Sequence, residues 1–260
     1  MRSLLIFANH TSTYFPLSAE TYLEEISKYF TEVIVATDYT EYLNLPYNIH
    51  RYPNKGYDFG KYYSTLKKIK IKKYDRIAFV NDSNSLVGTF KELFEWAKTC
   101  ELDVWGLTDS LEGAPTILPS HDLLSGFNQT VLTKKLSYHL QSHFLVFEKT
   151  AHKYLFPFFE NINFEENLMK PASPALRDLI ITHCEIGLSQ FLLRQDMKIG
   201  ARWTVKNMPL DRAKRINPHL HDWEKLIKNG YPLIKNKIVR GEWNHIIPNP
   251  QLRAKYYRYG

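Results

Sequence analysis

Along the first 110 residues, short apolar runs alternate with longer stretches of helical period. Residues 3–9, 32–38, 48–54, 75–83 and 103–110 read as strands. Residues 18–30, about 58–71 and 89–100 read as helices. In the first helix Ser18 stands where a cap belongs, and Tyr22, Ile26 and Tyr29 share a face. Strands that are apolar nearly throughout, separated by helices, predict an α/β fold with a mostly parallel sheet covered on both faces. Beyond residue 110 the pattern changes. Residues 111–126 read as loop, 138–149 as one strong strand, 150–162 as a helix broken near Pro157, 173–195 as a helical region carrying Glu185, and 200–205 as a strand. The tail holds a helix, a turn at Gly230 and a basic segment. No repeat or low-complexity linker divides the chain. The expected organisation is one domain over residues 1–205 and a helical C-terminal appendage, 206–260, packed on it.

Charge and cysteine content narrow the picture. The net charge of +7 suits an anionic partner. Basic residues are not interleaved with aromatics in one stripe, which argues against nucleic acid. One local run, residues 66–76, reads as a solvated helix end or a contact with anionic lipid. The two cysteines, Cys100 and Cys184, make neither a disulfide framework nor a zinc motif. The first apolar run is too short for a signal peptide or a membrane span. The expectation is a cytoplasmic protein whose membrane contact, if any, is peripheral and at the inner face.

Polar residues gather just after the strands: Asn9 and His10, Asp38, Asn54, Asp82, Asp109. The carboxyl ends of parallel strands are where such sheets bind ligands. The segment NKGYDFG adds two glycines around Asp58 at the start of a helix. Gly56 permits positive φ or close approach, and a helix N-terminus attracts phosphate. The plainer reading is a turn and a cap. In FVNDSNS, Asp82 is a candidate ligand for a hard cation, with Asn81 and Ser83 as neutral oxygens, or the closing residue of an Asx-turn. WGLTDS repeats the theme with Gly106 and Asp109, where Trp105 either packs under a ligand ring or, as the plainer reading, sits in the core. In HLQSHFLVF, strand alternation puts Gln141 and His143 on one face and Ser142 on the other. One of these faces a ligand. Glu185 stands before an apolar helical series, as a dipole partner or as a general base.

These segments, in this order, resemble the rhamnan synthesis F family of bacterial polysaccharide glycosyltransferases. Six collinear motifs carry the resemblance: NKGYDFG, FVNDS, WGLTDS, HLQSHFLVF, CEIGLS and HDWEKLIKNGYPLIKNKIVRG, over roughly residues 50–245. The resemblance implies a GT-A-like, Rossmann-like fold and transfer of a sugar, with dTDP-L-rhamnose as donor, to a growing surface polysaccharide or lipid-linked glycan. It puts Asn9 and Asp38 near the base or ribose, and Asn54, Gly56 and Asp58 beside the nucleotide. Asp82 takes the place of the Asp-x-Asp motif that binds Mg²⁺ or Mn²⁺. Here the sequence departs from the pattern, since Asp82-Ser83-Asn84 has one carboxylate. Glu185 falls where inverting enzymes carry their base, again as a partial match, with His183 behind it. Two other readings stand beside this one: a nucleotidyltransferase, which needs a second acid near Asp82, and a non-catalytic nucleotide- or sugar-binding module.

Overall fold

The computed structural model describes residues 1–10, 15–41, 43–111, 138–213 and 216–242, with the side chains of residues 210 and 211 excepted. The segment 111–126, read as loop, lies outside the described residues beyond Leu111. The first half builds β1 (Ser3–Asn9), α1 (Leu17–Ser27), β2 (Glu32–Thr37), β3 (Asn48–Arg51), α2 (Tyr57–Leu66), β4 (Arg76–Asn81), β5 (Asn84–Leu86), α3 (Lys91–Ala97) and β6 (Val104–Ser110). The second half adds β7 (His139–Leu140), β8 (Phe144–Glu148), α4 (Leu155–Asn161), α5 (Pro174–Ile180), α6 (Gly187–Arg194), β9 (Ile199–Trp203), α7 (Trp223–Lys228) and β10 (Leu233–Lys235).

The main sheet runs β3-β2-β1-β4-β8-β6, with β9 on the far side of β6. All of these neighbours pair in parallel except β8, which is antiparallel to β4 and β6. The α/β, mostly parallel sheet expected from the sequence is therefore present. Its near-continuous apolar strands serve two cores. Leu4, Ile6, Ala8, Ile77 and Phe79 pack beneath α2, α4, α5 and α6. The alternating residues Leu5, Phe7, Ala78 and Val80 pack beneath α1 and α3. The period of two along each strand divides the side chains between the faces.

Several local expectations are corrected. Pro16, not Ser18, occupies the N-cap of α1, and no side chain caps that helix. The helical stretch expected over 150–162 is indeed divided near Pro157: a 3-10 segment, Lys149–Tyr154, gives way to α4 two residues before the proline, which sits in the first turn where its missing N–H costs no intrahelical bond. The single strand expected over 138–149 is two strands. Register against β6 shifts between them: Asp109 faces Leu140, whereas Gly106 faces Leu145. The extra residues bulge at 141–143, which cancels the alternation expected there.

The C-terminal segment returns to the sheet's polar rim. β10 pairs antiparallel with β5, with Lys235 opposite Asn84. Asn236 Nδ2 donates to the main-chain oxygen of Asp82 at 2.8 Å, and Ser85 Oγ donates to Asn236 Oδ1 at 2.7 Å. Thus the tail, read as an appendage, supplies residues beside the carboxyl end of β4.

Candidate active site

Three adjacent strand ends are stitched together by side chains. At the end of β2, Thr37 Oγ1 donates to Asn9 Oδ1 at 2.8 Å. At the end of β1, Asn9 Nδ2 donates to Asp82 Oδ2 at 2.7 Å. The same carboxylate oxygen accepts the His10 N–H at 3.0 Å. The spatial order β2-β1-β4 makes this possible, because parallel neighbours end on the same rim.

α2 closes over this rim. Its Lys61 is fully buried and reaches Asp38 Oδ1 at 3.0 Å and His10 Nδ1 at 2.7 Å. Burial lowers the Lys61 pKa, while Asp38, Asp82 and Asp58 favour its charge. Burial and the Lys61 charge push His10 down to about 4, so its imidazole is neutral at physiological pH. Burial raises the Asp82 carboxyl, opposed by its hydrogen bonds and by Lys61. Asp58 accepts from Asn81 Nδ2 at 2.7 Å, tying the start of α2 to the end of β4. Asn54 stands on the turn before α2, and its side chain favours a proton on His10. The structure thus brings together Asn9, Asp38, Asn54, Asp58, Asn81 and Asp82.

Glu185 approaches from the opposite segment. Residues Ile181–Ile186 form a π turn between α5 and α6, an irregularity that often marks a functional position. Glu185 Oε2 accepts from Ser142 Oγ at 2.6 Å, and His139 Nε2 lies 3.6 Å from Oε1. The Glu185 side chain is 22% exposed, so the carboxylate is both held and reachable. His183, on the same turn, is buried, and burial favours its neutral form. Lys235 connects the two groups. Burial lowers its pKa, and both Glu185 and Asp58 favour its charge, so one ammonium lies in the field of both carboxylates.

Some expected site residues have other work. Asp109 is buried and accepts from Thr204 Oγ1, the Val205 N–H and Tyr138 Oη, which makes it an anchor for the chain after β9. His143 is buried, bonded to Tyr231 Oη at 2.9 Å, with its ring 4.4 Å from that of His219. Of the bulge residues Ser142 reaches Glu185. Gln141 accepts from Thr108 Oγ1 at 3.1 Å, and its buried amide nitrogen has no hydrogen-bond partner among the described residues. The glycines answer to the protein's own packing. A Cβ on Gly60 would lie 1.8 Å from the Lys55 oxygen, and one on Gly106 would lie 2.8 Å from the Phe144 oxygen. Gly56 has φ +69° and packs against Phe164 and Leu168 rather than leaving room for a ligand. Trp105 is core, as expected.

The described side chains form no ready-made cage for a divalent cation. Asp82 Oδ2 already accepts two donors, and the Asp58 oxygens accept from Asn81 and from the Phe59 N–H. Among the described residues no three His, Cys, Asp or Glu side chains converge as ligands. The cations that face these carboxylates are Lys61 and Lys235.

The fold and the rim define an α/β protein with a polar site at the carboxyl ends of parallel strands. Within that class, the chain belongs to the Rhamnan synthesis protein F family, whose profile it matches over residues 35–253. No curated protein matches the chain. Solved structures that resemble it include one from Bacillus anthracis, described as a glucose-1-phosphate thymidylyltransferase in complex with sucrose. Its TM-score is 0.42 and its identity 12%, over 83% of this chain and 96% of that one. Another is a 4-diphosphocytidyl-2C-methyl-D-erythritol synthase from Anaerococcus prevotii, with TM-score 0.41 and 14% identity, over 78% of this chain and 88% of that one. No helix among the described residues is long and apolar enough to cross a membrane.

The signals missed in the sequence are Lys61 and Lys235. Lys61 sits three residues after Asp58, so it shares a helical face with an acid already singled out. Lys235 lies among other basic tail residues, and no spacing distinguishes it.

Proposed function

We propose that the protein is a glycosyltransferase of the GT-A type, transferring L-rhamnose from a nucleoside diphosphate donor to a growing glycan. Membership of the Rhamnan synthesis protein F family supports the sugar and the polymer. The observation that carries the site is the pair of held carboxylates, Asp82 bonded by Asn9 at 2.7 Å and Glu185 bonded by Ser142 at 2.6 Å, with the Lys235 charge favoured by Glu185 and Asp58. A cation between the two halves of a site suits a substrate with a diphosphate at one end and a reacting carbon at the other.

The reaction is a single displacement. The acceptor hydroxyl oxygen attacks the anomeric carbon. The bond from that carbon to the β-phosphate oxygen breaks, and its electron pair leaves with the diphosphate. Glu185 takes the hydroxyl proton. Ser142 holds Glu185 Oε2, and Oε1, with His139 Nε2 3.6 Å away, is the oxygen that meets the acceptor. Positive charge grows on the sugar and negative charge on the leaving group, so stabilising the diphosphate is the larger electrostatic task. Asp38, Asn54 and Asp58 offer polar groups to the nucleoside, while Asn9, buried and bonded to Thr37 and Asp82, holds the strand ends behind them rather than meeting the ligand as expected. Attack on the face opposite the leaving group inverts the anomeric centre.

The test is release of nucleoside diphosphate from dTDP-, UDP- and GDP-sugars, with Mg²⁺, Mn²⁺ or EDTA, in the native chain and in Glu185→Gln. The expected result is turnover with one nucleotide class, and a loss on the order of 10²–10⁴-fold in Glu185→Gln with binding retained. Nucleotide binding without turnover under any condition favours a binding module instead. Joining of a nucleoside triphosphate to a sugar phosphate favours a nucleotidyltransferase.

A further inference from the structure

The carboxylates of the site are each met by donors, yet the leaving diphosphate of the proposed reaction needs positive charge of its own. Two lysines stand near. Lys61 is committed: its ammonium is buried, bonded to Asp38 and to His10. Lys235 is different. Among the described residues it forms no ion pair within 4.0 Å, although Glu185 and Asp58 are near enough to favour its charge.

The position of Lys235 is set by more than its own side chain. The β10–β5 ladder puts it opposite Asn84, two residues beyond Asp82. The next residue, Asn236, is tied to the Asp82 main chain and to Ser85. A rigid ladder and a cation without a direct counter-ion therefore stand together beside the strand end. Holding a partly buried ammonium without a counter-ion costs free energy. An anionic ligand offsets that cost on arrival.

We infer that Lys235 binds the diphosphate of the donor and neutralises it as the leaving group departs, in the place where a divalent cation was expected. This rests on the transferase reading above. The lysine acts as a fixed point charge delivered by the C-terminal segment. Its ammonium donates to phosphate oxygens and remains protonated throughout, so no proton or electron changes hands at Lys235. When the bond from sugar to phosphate breaks, the added negative charge on the diphosphate falls beside a cation already in place.

Calorimetric titration in EDTA tests the assignment, with dTDP and UDP against thymidine and uridine as probes. The proteins are the native chain, Lys235→Met and Lys235→Arg. The native chain should bind one diphosphate without metal. Lys235→Met should bind it about 10–100-fold more weakly and bind the matching nucleoside unchanged, and Lys235→Arg should recover most of the loss. Equal diphosphate affinity in native and Lys235→Met protein overturns the assignment alone. Parallel loss of nucleoside and diphosphate binding also overturns it, since that marks a structural role through the β10–β5 ladder. Native protein that binds no nucleotide overturns the transferase reading together with this one.

Discussion

Asn9 at the end of β1 donates its side-chain amide to Asp82 at the end of β4, at 2.7 Å and across 73 residues of sequence. Its oxygen meanwhile accepts from Thr37 at the end of β2. One amide thus orients the carboxylate and locks three strand ends. Asn9 is fully buried, so removing it leaves an unmet hydroxyl and a less-held carboxylate. Asn9→Ala should lower stability by about 1–3 kcal/mol in urea unfolding. Unchanged stability would mean that water replaces the amide at no cost and that Asn9 does not hold the rim.

Ser142 is the hydroxyl that holds Glu185. Ser142→Ala should lower kcat about 5–30-fold through loss of one hydrogen bond to a charged group, with donor affinity nearly unchanged. A pure rise in KM for donor would place Ser142 in binding rather than in positioning the base.

Gly60 lies in α2, yet its Cα faces the Lys55 oxygen so closely that a Cβ would stand 1.8 Å away. Gly60→Ala should cost ~3 kcal/mol or more, since a backbone atom must move and Lys61 is on the next residue. The same change is favourable at an open helix position. A neutral or stabilising result would show that the turn before α2 yields freely.

Imidazoles whose neutral form burial favours make stability depend on acid. Burial pushes His143 and His219 well down, and burial with Lys61 pushes His10 to about 4 from 6.5. Below 6.5 the unfolded chain takes up protons that the folded chain refuses, so stability falls as pH drops from about 6.5. Each histidine contributes a slope of up to about 1.4 kcal/mol per pH unit until its folded value is reached. Asp82, raised by burial, acts in the opposite sense at lower pH. His219 is fully buried, and neither ring nitrogen has a hydrogen-bond partner among the described residues. His219→Leu should therefore flatten the dependence in urea melts between about pH 7 and about pH 5. An unchanged slope would show that His219 does not refuse its proton.

Much of this protein follows from local pattern. The apolar strands and amphipathic helices imply a parallel sheet covered on both sides, because burial on two faces leaves no polar alternation to write. The clustering of Asn9, Asp38, Asn54, Asp58 and Asp82 after strands or at a helix start is also local. Parallel strands then carry these residues to a common rim. Other features depend on contacts between distant segments. The bulge at 141–143 arises where one antiparallel strand must pair with both β4 and β6, and it turns Ser142 toward Glu185. The glycines of NKGYDFG suggest a ligand in the sequence, but in three dimensions the chain itself fills the space. Asp109 reads as a twin of Asp82 and is instead consumed by Thr204, Val205 and Tyr138. Lys235 gains its place only when β10 pairs with β5, about 150 residues away. Strand and helix are short-range consequences of side-chain periodicity. Which polar group finds a partner, and which remains open to a ligand, is settled by long-range packing.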